Sequence, residues 1–363
     1  MKQQRSKVYF LPVLFLILNL ACNGLEILPI GLVGEAHYYI FQEMTNSTWQ
    51  VTPQVLAISN HIHPDAHFAY VSPDGWEIHN SKSGIIIYSP ESVVFSVSLL
   101  NTGYKISDAS LTNLVTGIEK NHYASQSDYQ MIKFNPQPVN HTVSSEKTYR
   151  VNGVLKFTRS IYQQNGTSLF IIEMTGDSSE IASDTKYNEL FNTFSRSIKP
   201  QASTIASLPA YNSYWTFNTP HQTLSISIPL GWQQSSDRQI GKVSQEEFWA
   251  PDRNAVIESI TVDTGEVVQL NFAGDYAIGW LNSRYSDGFK DVKILSEVIM
   301  NDQIEKVEWT SRRGGYSGVT FFEIHDKTKV VVLTTAWSRL FADIYSPVMD
   351  VTLLSYMADN KIQ

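Results

Sequence analysis

Pro73-Asp74-Gly75-Trp76 and Pro229-Leu230-Gly231-Trp232 stand 156 residues apart and carry one signature, Pro-x-Gly-Trp. The residues downstream of each copy repeat as well. After the first come Tyr88-Ser89-Pro90-Glu91, an alternating run of Val93, Phe95, Val97 and Leu99, and the turn Asn101-Thr102-Gly103. After the second come Trp249-Ala250-Pro251-Asp252, Ile260 and Val262 alternating with polar residues, and Asp263-Thr264-Gly265. Period-two alternation marks a half-buried strand, and the glycine-containing ends mark turns. Those three matching residues alone would say little. Recurrence of order, turn chemistry and period together predicts one structural unit present twice.

Working outward, each copy continues with an amphipathic helix. In the first, Ser107 caps a stripe of Leu111, Leu114, Val115 and Ile118, spaced at the helical period. In the second the stripe is Phe272, Tyr276, Trp280 and Leu281, with Gly288 as the stop. Hairpins come next. Leu155 and Phe157 lead through Gln164-Asn165-Gly166 into Leu169–Met174, and Asn-Gly is a strong hairpin signal. Val319–Ile324 turns at His325-Asp326-Lys327 and returns through Val330–Leu333. A helix closes each unit: Leu190, Phe191, Phe194 and Ile198 form its face first, then Met349, Leu353, Tyr356 and Met357 after a Ser346-Pro347 start. Helices separated by antiparallel hairpins must each bury a face against the sheet, so the fold class is α+β.

These residues resemble the PsbP-like superfamily. The resemblance rests on SPDGW (72–76), IYSPE (87–91), VFSVSLLNTG (94–103), YQQNG (162–166) and LFNTFSRSI (190–198), echoed by IPLGW (228–232) and FWAPDRNAVIESITVDTG (248–265). It covers roughly residues 65–198 and 213–357. It implies two tandem α/β/α sandwich domains, each a mainly antiparallel sheet flanked by helices, and a non-enzymatic accessory or binding role at a membrane-bound assembly. Photosystem members associate with calcium or manganese, but no motif here carries that over, and no cofactor is implied. The expected organisation is a signal segment over residues 1–21, an N-terminal spacer over 23–60, a first domain over 61–200, a linker over 201–211 and a second domain over 212–363.

Lys2, Arg5 and Lys7 precede the apolar run Phe10–Leu18, interrupted only by Pro12, and then Asn19-Leu20-Ala21-Cys22. That order is a secretory signal, too short for a spanning helix. Cys22 is the single cysteine of the chain, set behind small Ala21. The arrangement resembles a bacterial lipobox, in which such a cysteine is lipidated, although Asn19 stands where that motif prefers Leu. Lipid at Cys22 makes the membrane a partner, places the protein outside the cytoplasm, and leaves no thiol for disulfides or catalysis.

The 363 residues are 42% apolar and 12% aromatic, enough for a packed core and incompatible with a disordered or collagen-like chain. Beyond residue 21 there are 24 basic against 35 acidic residues, a balance of −11. A diffuse acidic surface argues against nucleic acid as a partner; beside the membrane, the accessory role expects a protein partner.

The sharpest chemical motif is His61-Ile62-His63-Pro64-Asp65-Ala66-His67. Imidazole and carboxylate are zinc's usual ligands besides thiolate. On a regular strand His61, His63, Asp65 and His67 share one side, although Pro64 works against a strand. The motif resembles the H-x-H-x-D-H set of metallo-β-lactamase-type hydrolases, with one extra residue breaking the spacing. The alternative function is therefore a metal-binding lipoprotein or metal-dependent hydrolase using His61, His63 and His67; the plainer reading is a polar strand or loop entering the first domain. Elsewhere, Gly314–Gly318 nearly spells a nucleophile elbow, but Val319 stands where the final glycine is needed, and the stretch reads as a turn. Ser144-Ser145-Glu146-Lys147 reads as polar loop, and Gly75-Trp76 and Gly231-Trp232 as turn and core. No phosphate-cradling glycine motif occurs.

Overall fold

The computed structural model describes residues 57–359, apart from 178–180, 182, 220–223, 241, 270–272, 286–290, 302 and 326. Cys22, residues 23–56, Phe272 and Gly288 lie outside the described residues, and so does the side chain of Tyr276.

The elements run β1 (Ile58–Ile62), β2 (Phe68–Pro73), β3 (Glu77–Ser81), β4 (Gly84–Tyr88), β5 (Val94–Asn101), α1 (Asp108–Ile118), β6 (Ser127–Val139), β7 (Thr142–Val151), β8 (Val154–Asn165), β9 (Ser168–Asp177), α2 (Thr185–Ser197), β10 (Lys199–Pro200) and α3 (Ala202–Ile205). They continue with β11 (Tyr214–Asn218), β12 (Ser225–Pro229), β13 (Gln233–Ile240), β14 (Val243–Trp249), β15 (Ala255–Asp263), α4 (Ala273–Tyr285), β16 (Val292–Ile299), β17 (Ile304–Ser311), β18 (Tyr316–His325), β19 (Lys329–Ser338) and α5 (Ala342–Asp359).

Two seven-stranded sheets result, ordered β3-β4-β5-β9-β8-β7-β6 and β13-β14-β15-β19-β18-β17-β16. Every neighbouring pair in both is antiparallel. Shifting each strand number by ten converts one order into the other. The chain falls into two compact units, one reaching Thr216 and taking in Pro229–Gly231, the other made of Phe217–Ile228 and the residues from Trp232 onward.

The repeat extends to single hydrogen bonds. In the first unit the Val71 amide donates to Ser197 Oγ at 2.9 Å, and that hydroxyl donates to the Phe194 carbonyl. In the second the Ser227 amide donates to Ser355 Oγ at 2.8 Å, and Ser355 donates to Thr352. Each bond ties the strand before Pro-x-Gly-Trp to the closing helix. The Asn101 and Asp263 side chains accept from the amides of Gly103 and Gly265, both at 3.0 Å. Thr158 meets Thr175 across β8–β9 at 2.9 Å, and Thr320 meets Thr334 across β18–β19 at 3.1 Å.

Both signature glycines take left-handed backbone, φ +81° at Gly75 and +84° at Gly231, the conformation that side chains with a Cβ resist. The turns point Trp76 against Phe95 and Trp232 against Tyr345, and both indoles are buried. The helix stripes bury as their spacing predicts: Ser107 caps α1, whose Leu111, Leu114 and Val115 are fully enclosed. Phe191 and Phe194 of α2 pack with Phe95 in the first core, while α1 packs against β6 and β7.

Some local expectations fail. α5 starts at Ala342 and carries Pro347 inside it, rather than starting at Ser346. Proline removes one helical hydrogen bond, but Tyr345, Val348 and Met349 are all enclosed, and burial of that face carries the helix through. Ser144–Lys147 is not polar loop: it lies within β7, with Ser145 and Lys147 turned inward. The segment 201–211 forms α3 and then turns, and its Ile205 and Leu208 join the core of the first unit.

Candidate functional site

The His61–His67 segment is a hairpin loop, not a continuous strand. β1 ends at Ile62, the His63 amide donates to the Phe68 carbonyl, and the Ala66 amide donates back to His63. Pro64 supplies no amide hydrogen and ends the pairing, and Ala66 makes the corner with φ +55°. α3 braces this corner: Thr204 Oγ1 donates to the Ala66 carbonyl at 2.7 Å and the Gln201 amide to that of His67 at 2.8 Å.

The four residues read from the sequence therefore separate. His61 stays on β1, stacks on Tyr70 and bonds Ser72 Oγ at 2.9 Å. His63, Asp65 and His67 come together, each with one ligand atom within 4.8 Å of the others. The His63 and His67 ring centres are 5.2 Å apart, and both rings are buried while Asp65 is exposed. His63 Nε2 donates to the Ser81 carbonyl at 2.9 Å, and its Nδ1 accepts from the Asp65 amide at 3.2 Å. The His67 Nδ1 is buried and has no hydrogen-bond partner. Burial, with His63 acting in the same direction, holds the His67 imidazole below its ordinary pKa, against the pull of Asp65 and the Lys82 backbone.

Sequence reasoning missed a second cluster. Lys147, wholly enclosed in β7, places Nζ 2.8 Å from Glu119 Oε1, 3.8 Å from Glu173 and 3.5 Å from the centre of the Tyr123 ring. Ser160 Oγ accepts from Lys147 at 2.8 Å, and Tyr162 donates to Glu119 at 2.6 Å. Tyr123 and Ser160 donate to Glu173. Glu119 begins a π-helical turn, Glu119–Tyr123, that continues directly from α1; such bulges are frequent at functional sites. Burial first, and then the two carboxylates, raise the Tyr123 and Tyr162 phenols well above their usual range and keep them as donors. One clue was legible: Lys147 sits in phase with Val143, Ser145 and Tyr149 on an alternating strand.

The second unit holds a different cluster. Glu247 and Glu258 face each other across β14–β15, a like-charge pairing that costs stability unless it is offset. Gln245 Nε2 bridges both carboxylates at 2.9 Å, Arg284 of α4 bonds Glu247, and Tyr285 donates to Glu258 at 3.1 Å. Burial is the main force lifting the Glu258 pKa to about 7; Glu247 adds to it and Arg284 opposes it. Where Lys147 faces Thr158 in the first unit, Val307 faces Thr320 in the second. The two sheets repeat; their polar interiors do not.

By fold this is an α+β protein of largely antiparallel seven-stranded sheets with few helices. No family model matches the chain, and no curated protein matches it. Solved structures similar to it include PsbP of the cyanobacterium Synechocystis sp. PCC 6803, at 14% identity and TM-score 0.31, covering 43% of this chain and 98% of that one. LpqN of Mycobacterium tuberculosis, involved in cell envelope biogenesis, is 11% identical at TM-score 0.26, covering 40% and 93%. The immunity protein TplEi of Pseudomonas aeruginosa is 13% identical at TM-score 0.22, covering 78% and 97%.

Proposed function

We propose that this chain is an exported, lipid-anchored, non-enzymatic protein built of two tandem PsbP-like α/β/α sandwich domains, acting as a binding or accessory module of a membrane-associated assembly outside the cytoplasm. The observation that carries the reading is the order Lys2/Arg5/Lys7, apolar Phe10–Leu18, then the chain's single cysteine at Cys22. Two acyl chains hold a protein at a bilayer, because each buried methylene contributes about 0.8 kcal/mol. The interior chemistry supports a non-enzymatic role. Lys147, Glu119 and Glu173 are engaged with one another and with Ser160, Tyr123 and Tyr162. Glu247 and Glu258 are likewise engaged with Gln245 and Arg284. Groups committed in this way hold a sheet together. The duplication offers two contact modules on one tether, which raises effective concentration for a partner.

The test is metabolic labelling with a palmitate analogue in the native host, then membrane fractionation and crosslinking. The wild-type chain is expected to take up label, to sediment with membranes and to crosslink to one envelope assembly in near-stoichiometric amount. Cys22→Ala is expected to lose label and membrane association together. An unlabelled wild-type chain, or a Cys22→Ala chain still held at the membrane, overturns the anchor. A labelled chain with no crosslinked assembly overturns the accessory role.

A further inference from the structure

We propose that the β1–β2 loop binds a single zinc ion through His63, Asp65 and His67, with His61 outside the site. This goes beyond the accessory reading and does not depend on it. Two observations converge. The first is the gathering of two imidazoles and a carboxylate, with ligand atoms within 4.8 Å of one another. The second is His67 itself: only 5% exposed, with Nδ1 lacking any hydrogen-bond partner. A buried polar atom left unsatisfied is costly and calls for an explanation, and an ion taking its lone pair supplies one.

The hydrogen bond from His63 to the Ser81 carbonyl and the spacing of the two rings, 5.2 Å apart with 22° between their planes, suit ligation. A metal-binding histidine ordinarily donates its other ring N–H to a carboxylate or backbone carbonyl, which fixes the tautomer. His63 Nε2 donates to the Ser81 carbonyl. His67 keeps Nδ1 free of any hydrogen-bond partner. The Ser81 carbonyl therefore holds the far nitrogen of His63, and Nδ1 of His67 stands ready as a donor atom. With metal–nitrogen bonds of about 2.0–2.1 Å, two imidazoles on one tetrahedral ion have ring centres roughly 5 Å apart. The rings here stand 5.2 Å apart.

Closing the site requires little. Exposed Asp65 rotates its carboxylate inward, and the Asp65 amide, 3.2 Å from His63 Nδ1, gives that contact over to the ion. The corner is already fixed by the Thr204 and Gln201 bonds to Ala66 and His67. Two nitrogens and one oxygen suit zinc, with water at the fourth position.

The experiment uses the full chain, purified and stripped with a chelator, then titrated with Zn2+ by calorimetry and with Co2+ by visible absorption. Expected are one Zn2+ per chain, Co2+ bands of a four-coordinate nitrogen–oxygen site, and a melting temperature raised by Zn2+. His67→Ala, checked for folding by circular dichroism, is expected to abolish all three. Asp65→Asn, an exposed change that leaves the fold alone, is expected to weaken binding roughly tenfold or more. His61→Ala is expected to bind as the wild type does. A wild-type chain that holds no Zn2+ overturns the proposal. So does binding indifferent to both His67→Ala and Asp65→Asn, or lost equally in His61→Ala.

Discussion

Glu258 and Lys147 are single residues whose burial sets the terms for everything around them. Lys147 Nζ sits among Glu119, Glu173 and Ser160; a buried ion pair of this kind adds little against an apolar substitute, yet removing one partner strands the other charge. Glu258 faces Glu247, Arg284, Gln245 and Tyr285, and its pKa of about 7 stands above its ordinary 4.5. Below pH 4.5 both folded and unfolded chains hold the proton. Between pH 4.5 and 7 the folded chain alone holds it, so stability falls as pH rises through that window. The total loss is on the order of 3 kcal/mol by pH 8. Glu258→Gln is expected to remove that part of the slope, seen as a flatter dependence of urea-unfolding free energy on pH from 5 to 8. A slope as steep as the wild type's sinks the assignment.

At the scale of elements, the repeated strand-to-helix bond is the clearest sign that the two units were built to one plan. Ser197 and Ser355 accept from the Val71 and Ser227 amides, and an orphaned part-buried amide costs about 1–3 kcal/mol. Ser197→Ala and Ser355→Ala are each expected to lose about 1–2 kcal/mol in denaturant unfolding. Thr193→Ala, whose exposed hydroxyl bonds only within α2, is expected to stay within about 0.5 kcal/mol. Similar losses at all three positions would show that these serines brace nothing. The helices teach the converse lesson. α1 follows its cap and stripe as written, whereas α5 overrides Pro347 because its face is buried.

For the whole molecule, two compact units with separate cores predict two unfolding events. Lys147 belongs to the first unit alone. Calorimetry of the full chain is expected to resolve two transitions. Lys147→Met is expected to destabilise the first unit by about 3–5 kcal/mol, lowering one transition and leaving the other in place. One cooperative transition that moves as a whole would refute independent units.

The sequence by itself determined the β5, β8–β9, β15 and β18–β19 strands, the α1 and α2 stripes and the recurrence of the unit, because these depend on spacing along the chain, while β7 escaped it. Both copies of Pro-x-Gly-Trp take a left-handed glycine turn and turn the indole inward. It also offered His63, Asp65 and His67, since they are close in sequence. Tertiary structure decided which groups meet across strands. Only folding turns His61 away onto Tyr70, brings Glu119 from a helix end beneath Lys147, and sets Glu247 opposite Glu258. Those meetings depend on strand register and on the low-dielectric interior that assembly creates, and neither is a property of the chain before it folds.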